Sequence, residues 1–495
     1  MDDTQNRSSY KESLKATSLF GGVELFNILI RIIRSKFAAV LLGPEGMGIM
    51  GLLNSGITLV SSVTNCGLRA SAVRNIAEAN ASGNSVRVSQ VYSVLKRLVW
   101  LTGVGGMLLC AVFSRQCSII TFGNPDYSAA FLFLSVAILF MQLTSREQVV
   151  LQGLQKYRYL AKANVYGNLV GLVVTIPLYY LFGLDAIVPV LLLANILTFV
   201  FARHFVKKCR IVSERLAVPE AKSIGRNMVR MGIMISLQGI LASLSAYVIQ
   251  MYINHSGSIN DVGLFNAGFT MINTYVGLIL TAMATDYYPR LSKVAKEPEE
   301  FSAMINRQTE IAVLLLTPIV IAFIIFIKYV VIIFYSSKFL TICPMLYWAV
   351  GGMLFKGMAW SLSYSLLAKN EVRLFFWNEV ITILYGFGLN VAGYHIYGLT
   401  GLGVASCITH LLYFIQLRYI TFKYFKLSYL GGVLPMFICL QAFVVLTMLC
   451  KVLLAEWLGY VLGIVLLSIA TLYVYRQLDR RVEIGIFVKH FIGKQ

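Results

Sequence analysis

Between Ser13 and Leu42 an apolar stretch long enough to cross a bilayer carries charges where a lipid-facing helix has none. On a helix advancing about 100° per residue, Glu24, Asn27, Arg31 and Arg34 fall within an arc of about 80°. An arginine at mid-membrane costs about 2.5–3.5 kcal/mol on insertion scales, so two on one stripe are expected to face a wet, anion-binding cavity. The alternative is that Glu24 neutralises the two arginines inside a helix bundle. Lys36 lies off the stripe near the end of the stretch, where its stem snorkels towards headgroups.

The next apolar stretch adds polar chemistry without charge. Asn54, Thr58, Ser61 and Asn65 recur at four, three and four residues and share one helix face. Any one hydroxyl among them can be satisfied by the backbone four residues earlier. The pattern Asn54-Ser-Gly-Ile-Thr-Leu-Val-Ser-Ser62 returns roughly 212 residues later as Asn266-Ala-Gly-Phe-Thr-Met-Ile-Asn-Thr274. Asn54 then pairs with Asn266 and Thr58 with Thr270, and Asn273 falls on the same repeated element. Ser236 and Ser243 occupy the positions equivalent to Glu24 and Arg31, so the charge exists in one copy only. The expectation is a cavity with a cationic wall from the first copy and an amide and hydroxyl wall from the second. Arg146, Glu147, Lys356 and Glu379 are further polar residues in apolar surroundings. Arg146 and Lys356 are candidates to line the path, with snorkelling or local pairing as the alternative. Arg115 and Lys328 read as interfacial anchors. His410 is either a titrating site near neutrality or a packing residue.

These residues need helices that cross a membrane. Hydrophobic residues make up 58% of the 495, charged residues 13%, and mean hydropathy is +0.74, far from the roughly 25% charged residues of soluble domains. About fourteen apolar stretches approach the roughly 20 residues a crossing requires. The fold class is therefore all-α and polytopic. The formal charge of +20 could suggest nucleic acid, but most of the 42 basic residues fall on one side of the alternating spans. The opposite side holds Arg115, Lys338 and Lys451. This distribution predicts N-in, C-in topology, with anionic inner-leaflet lipids as neighbours.

The expected organisation is an N-lobe over 1–202 (six helices), a basic cytoplasmic linker over 203–227 and a C-lobe over 228–420 (six helices). Two further helices follow within 421–475, then a basic tail, 476–495. An even number of spans per copy makes the lobes parallel repeats. The eight cysteines show no metal-ligand spacing and read as reduced packing residues. No phosphate-binding Gly-x-x-x-x-Gly-Lys-[Ser/Thr] motif, HExxH or GxSxG occurs. No cofactor or metal is expected, and a membrane enzyme acting on lipid-linked sugars lacks the acid/base cluster it would need.

The run Ser13-Leu-Lys-Ala-Thr-Ser-Leu-Phe, the segment Leu42-Gly-Pro-Glu-Gly-Met-Gly-Ile-Met-Gly, the motif Cys66-Gly-Leu-Arg-Ala-Ser-Ala-Val-Arg and Tyr288-Pro-Arg-Leu-Ser292 carry a resemblance. The chain resembles the bacterial Wzx-type oligosaccharide-lipid flippases, the O-antigen or enterobacterial-common-antigen translocases of the MATE/polysaccharide-exporter (MOP) superfamily. The likeness covers about Lys11 to Tyr419. It implies a V-shaped pair of six-helix lobes that opens alternately to either side. It also implies an undecaprenyl-pyrophosphate oligosaccharide as substrate and cavity cations, here Arg31 and Arg34, as its contacts. A polysaccharide polymerase and a chain-length regulator are the protein partners it brings in. The two extra C-terminal helices are a feature of the peptidoglycan-precursor flippases of the same superfamily. Three alternatives stay open: such a flippase, an ion-coupled MATE-type multidrug exporter, and an assembly scaffold. Glu24 and His410 are the candidates for ion coupling.

Overall fold

The computed structural model describes residues 3–211, 218–427 and 432–482; among them every regular element is helical. The interior of the expected linker and the end of the expected tail lie outside the described residues. So does the side chain of Glu24, although its backbone is part of the first helix.

The first helices are α1 (Asp3–Thr64), α2 (Leu68–Ala81), α3 (Ser85–Val112) and α4 (Ser114–Phe122). They are followed by α5 (Ser128–Gly153), α6 (Tyr157–Phe182), α7 (Ile187–Lys207) and α8 (Val218–Ser256). Next come α9 (Ile259–Met271), α10 (Gly277–Lys293), α11 (Pro298–Phe334) and α12 (Cys343–Gly351). The last four are α13 (Met353–Ala368), α14 (Val372–Phe425), α15 (Val433–Leu453) and α16 (Glu456–Val482). A five-residue π-helix, Ile272–Val276, joins α9 to α10.

Helix lengths show where one element is really two. With 62 residues, α1 would span about 93 Å at 1.5 Å per residue, three times a hydrocarbon core of about 30 Å. It breaks at Gly43 (φ 69°, ψ −171°), immediately before Pro44. Proline lacks the N–H for the helical bond and glycine tolerates the left-handed backbone. Likewise α14, of 54 residues, breaks at Tyr397 and Gly398 (φ 56°). Nine stretches among the described residues are long and apolar enough to cross a membrane, or ten with the pair Ser337–Gly351 and Met353–Ala368, bent by 42°. This is a polytopic membrane protein.

The chain divides into two compact units, Met1–Gly263 with Phe334–Ser336, and Leu264–Ile333 with Ser337–Gln495. In the first, Ile76, Leu95, Val150 and Phe205 belong to one buried apolar cluster drawn from α2, α3, α5 and α7. In the second, Tyr287, Phe301, Leu362 and Leu417 do the same for α10, α11, α13 and α14. The first unit ends one helix later than the N-lobe read from the sequence, because α8 packs within it.

Backbone contact explains that packing. A Cβ on Gly67 (φ +67°) would lie 1.9 Å from the Gly232 carbonyl oxygen of α8. A Cβ on Gly48 would lie 2.1 Å from Ile259 O, and one on Gly263 1.9 Å from Pro44 O. Gly43-Pro44-Glu45-Gly46-Met47-Gly48 is rich in helix breakers, a composition that favours a short turn between two spans. The turn is confined to Gly43, residues 44–48 are helical, and Gly48 serves close approach instead.

Candidate functional site

The second leg of α1, residues 44–64, carries Asn54, Thr58 and Ser61, with Asn65 directly after it, and all of these but Asn54 face a cleft inside the first unit. The helix stops at Thr64, Gly67 takes a left-handed conformation, and α2 starts at Leu68. This break gives the cleft, of about 630 Å³, a floor between α1, α2, α5 and α8. Thr58, Ser61 and Asn65 line it, as their spacing predicts. Ser236 and Ser243 of α8 face the same space, whereas Asn266, Thr270 and Asn273 are not in its lining. The two serine hydroxyls donate back to Gly232 O and Gly239 O, each at 2.8 Å, which leaves oxygen lone pairs free to accept.

From α5 come Gln142, Ser145 and Gln152. Gln142 is fully buried and held at both ends: its Nε2 donates to Thr64 Oγ1 at 2.8 Å and its Oε1 accepts from Thr102 Oγ1 at 2.7 Å. The cationic group in the lining is Arg69, in the first turn of α2. Its backbone N–H lies 3.4 Å from Asn65 Oδ1, and among the described residues no carboxylate pairs with its guanidinium. Among the described residues no Asp or Glu lines the cleft. From the described residues the site therefore offers one guanidinium, several hydroxyls and amides, and no negative charge.

Beyond the cleft α8 stays tied to its neighbours. Gln250 Nε2 donates to Ser55 Oγ at 2.8 Å, and Asn254 Nδ2 donates to Thr121 O at 3.0 Å. His255 Nε2 meets Ile120 O at 2.8 Å, and the Tyr247 and Thr121 hydroxyls bond each other. At the opposite end lies the Gly67 and Gly232 contact, with Gly67 itself in the cleft wall.

Other expected site residues sit elsewhere. Arg31 is exposed and Arg34 half-buried, and neither lines this cleft. Asn27 is buried, and its Oδ1 accepts from Asn168 Nδ2 of α6 at 3.1 Å, a link between helices. Asn54 is exposed and outside the lining.

Arg146 differs from the path-lining expectation: only 4% exposed, it pairs through Nη2 with the fully buried Glu147. Arg203 Nη1 also reaches Glu147, at 3.3 Å, and donates to Tyr92 OH at 3.0 Å. This is the local-pairing alternative, and it welds α3, α5 and α7.

In the second unit Lys356 Nζ donates to Asn273 Oδ1 at 3.2 Å, with Asn273 in the π-helix. Thr270 is exposed and Asn266 half-buried. His410 bonds its own helix through Nδ1 to Ser406 O at 2.6 Å. Glu379 accepts from Tyr413 OH at 2.6 Å and Asn378 Nδ2 at 3.2 Å.

Sequence reasoning assigned no role to Arg69, Gln142, Ser145 or Gln152. For Arg69 a signal was present: the spacing 58, 61, 65, 69 continues the stripe across the break.

The fold is similar to that of solved MOP-superfamily transporters. An inward-facing multidrug resistance MATE family transporter of that superfamily matches with a TM-score of 0.68 at 15% identity, covering 84% of this chain and 96% of its own. The lipid II flippase MurJ, in an inward closed conformation, matches with a TM-score of 0.67 at 14% identity, covering 94% and 99%. A MOP-superfamily transporter from Pyrococcus furiosus, for which reverse polarity of the binding pocket suggests a different function, matches at 0.59 and 15% identity, covering 84% and 97%. The family model for polysaccharide biosynthesis proteins matches residues 38–344, and the chain belongs to that family. No curated protein matches it.

Proposed function

We propose that this protein is a flippase that moves an undecaprenyl-pyrophosphate-linked oligosaccharide from the cytoplasmic to the outer leaflet of the bacterial inner membrane by alternating access. The observation that carries the reading is the composition of the cleft: among the described residues its lining holds hydroxyls, amides and one guanidinium, and no carboxylate. Organic cations need negative charge in their site, and this site repels them. A pyrophosphate with a neutral sugar body fits it. Arg69 holds the phosphate through the planar fork of its guanidinium. Thr58, Ser61, Ser236 and Ser243 exchange hydrogen bonds with sugar hydroxyls loosely enough to let go. Arg31 and Arg34 are a second cationic station on the first leg of α1, outside the cleft. In this reading the chain crosses the membrane an even number of times and both termini are cytoplasmic, as the basic residues on one side of the spans suggest. Membership of the polysaccharide biosynthesis family supports the choice of cargo.

The test is the leaflet location of a labelled undecaprenyl-pyrophosphate oligosaccharide in proteoliposomes. Wild type is expected to move it. Arg69→Gln is expected to slow movement about 10- to 150-fold, the worth of a charge-assisted hydrogen bond of about 1.5–3 kcal/mol. The double variant Arg31→Gln/Arg34→Gln, assayed in parallel, apportions the anion contact between the two places. Wild type that leaves the lipid in place but exports ethidium would overturn the assignment in favour of a drug exporter.

A further inference from the structure

The second unit has a cavity of its own, about 750 Å³, built from helix ends. The start of α11, the turn from α13 into α14 and the end of α14 surround it. Its floor is apolar: Phe301 is 1% exposed and Leu427 4%, both part of the unit's buried core. Its rim carries two carboxylates, Glu299 and Glu371, and two ammonium groups, Lys369 and Lys426.

Among the described residues none of these four forms an ion pair, although all face one cavity. Lys369 is held in place by donating to Ala295 O and by lying 4.5 Å over the Phe301 ring, which leaves it further N–H donors. Next to the cavity, Lys423 lies over the rings of Tyr419 and Tyr424, both exposed, and Arg418 over Phe422. Aromatic and basic side chains clustered at a helix end mark a membrane–water interface.

A ligand for this rim must carry both signs. Two lysines suit a phosphate, and two glutamates suit a primary ammonium that can donate to them. A choline headgroup presents methyl groups where the glutamates need N–H. A purely anionic headgroup leaves both glutamates facing like charge. The apolar floor asks for a ligand with a hydrocarbon part. We propose that the cavity binds the headgroup of an ethanolamine phospholipid, with Lys369 and Lys426 on the phosphate and Glu299 and Glu371 on the ammonium. This site is separate from the cleft of the first unit and does not rest on the flippase reading.

The experiment is native mass spectrometry of the full chain released from nanodiscs of equal parts phosphatidylethanolamine, phosphatidylcholine and phosphatidylglycerol of matched acyl chains. Wild type is expected to retain the ethanolamine lipid at least about tenfold over the choline lipid, the discrimination of one lost hydrogen bond to a charged group. Glu299→Gln/Glu371→Gln removes that preference and raises retention of phosphatidylglycerol. Lys426→Gln lowers retention of all three. All these side chains but Lys369 are exposed, so the variants keep the wild-type unfolding midpoint in lipid-free detergent, which separates lost binding from lost folding. Equal retention of ethanolamine and choline lipids by wild type overturns the proposal, as does an unchanged preference in the glutamate double variant. Displacement of the lipid by soluble glycerophosphoethanolamine at equal concentration would also overturn it, since the apolar floor would then contribute nothing.

Discussion

Replacing Gly232 by alanine tests how the cleft is closed at the end where α8 meets the turn between α1 and α2. The added Cβ would lie 2.6 Å from Cys66 O and 2.7 Å from both C and O of Gly67. These are backbone atoms, which cannot rotate aside, so α8 must retreat by at least about 0.4 Å to reach the 3.0 Å that such contacts respect. Overpacking of this kind costs about 1–3 kcal/mol, which lowers the population of the closed contact about 5- to 150-fold. The natural thiol of Cys66 reports on it, because it is half-buried at this turn. The rate of maleimide labelling at Cys66, read on its own peptide, is expected to rise by that factor in Gly232→Ala. Gly67→Ala should act more strongly. Its Cβ would meet Gly232 O at 1.9 Å, and φ of +67° adds about 1 kcal/mol of backbone strain for any residue with a side chain. Cys66 labelling in Gly232→Ala equal to wild type, at equal expression, would refute the close approach and the closure built on it.

Glu147→Gln leaves the buried Arg146 without its counter-charge and strips Arg203 of one partner. Removing one partner of a buried pair costs about 3–5 kcal/mol, so the thermal midpoint in detergent should fall sharply; a loss under about 1 kcal/mol would contradict the weld between α3, α5 and α7. Asn168→Leu orphans the buried Asn27 amide at a cost of about 1–3 kcal/mol, and adding Asn27→Leu should recover most of it with transport intact. Transport lost in that stable double variant would return Asn27 to the substrate. Gln142→Leu cuts the links to Thr64 and Thr102 inside the cleft wall, and about 1–3 kcal/mol of stability should go with them in denaturant unfolding.

How much could be read in advance depended on how local the cause was. The first helix ends at Leu42 and breaks at Gly43-Pro44 as the residues require, because the missing proline N–H is a property of that dipeptide. Thr58, Ser61 and Asn65 share the cleft because helical period alone places them on one face. The same reasoning put Asn27 with Arg31 and Arg34, but a helix inside a bundle has several neighbours. Period says which residues look the same way, not at what. Asn27 looks at Asn168, 141 residues away in the chain.

Membrane residence, an all-helical build and the polar stripe of the second stretch were determined by the sequence itself. Each follows from hydropathy and from spacing within one or two helical turns. Which cation lines the cleft, and where the first compact unit ends, were decided by tertiary structure. Both depend on Gly67 and Gly232, 165 positions apart, letting two backbones touch. That contact holds α8 against the α1–α2 turn and sets Arg69 in the wall of the cleft. No periodic pattern encodes such an approach, since a glycine in sequence marks only the absence of a side chain, and the neighbour that uses the space is chosen by the packed fold.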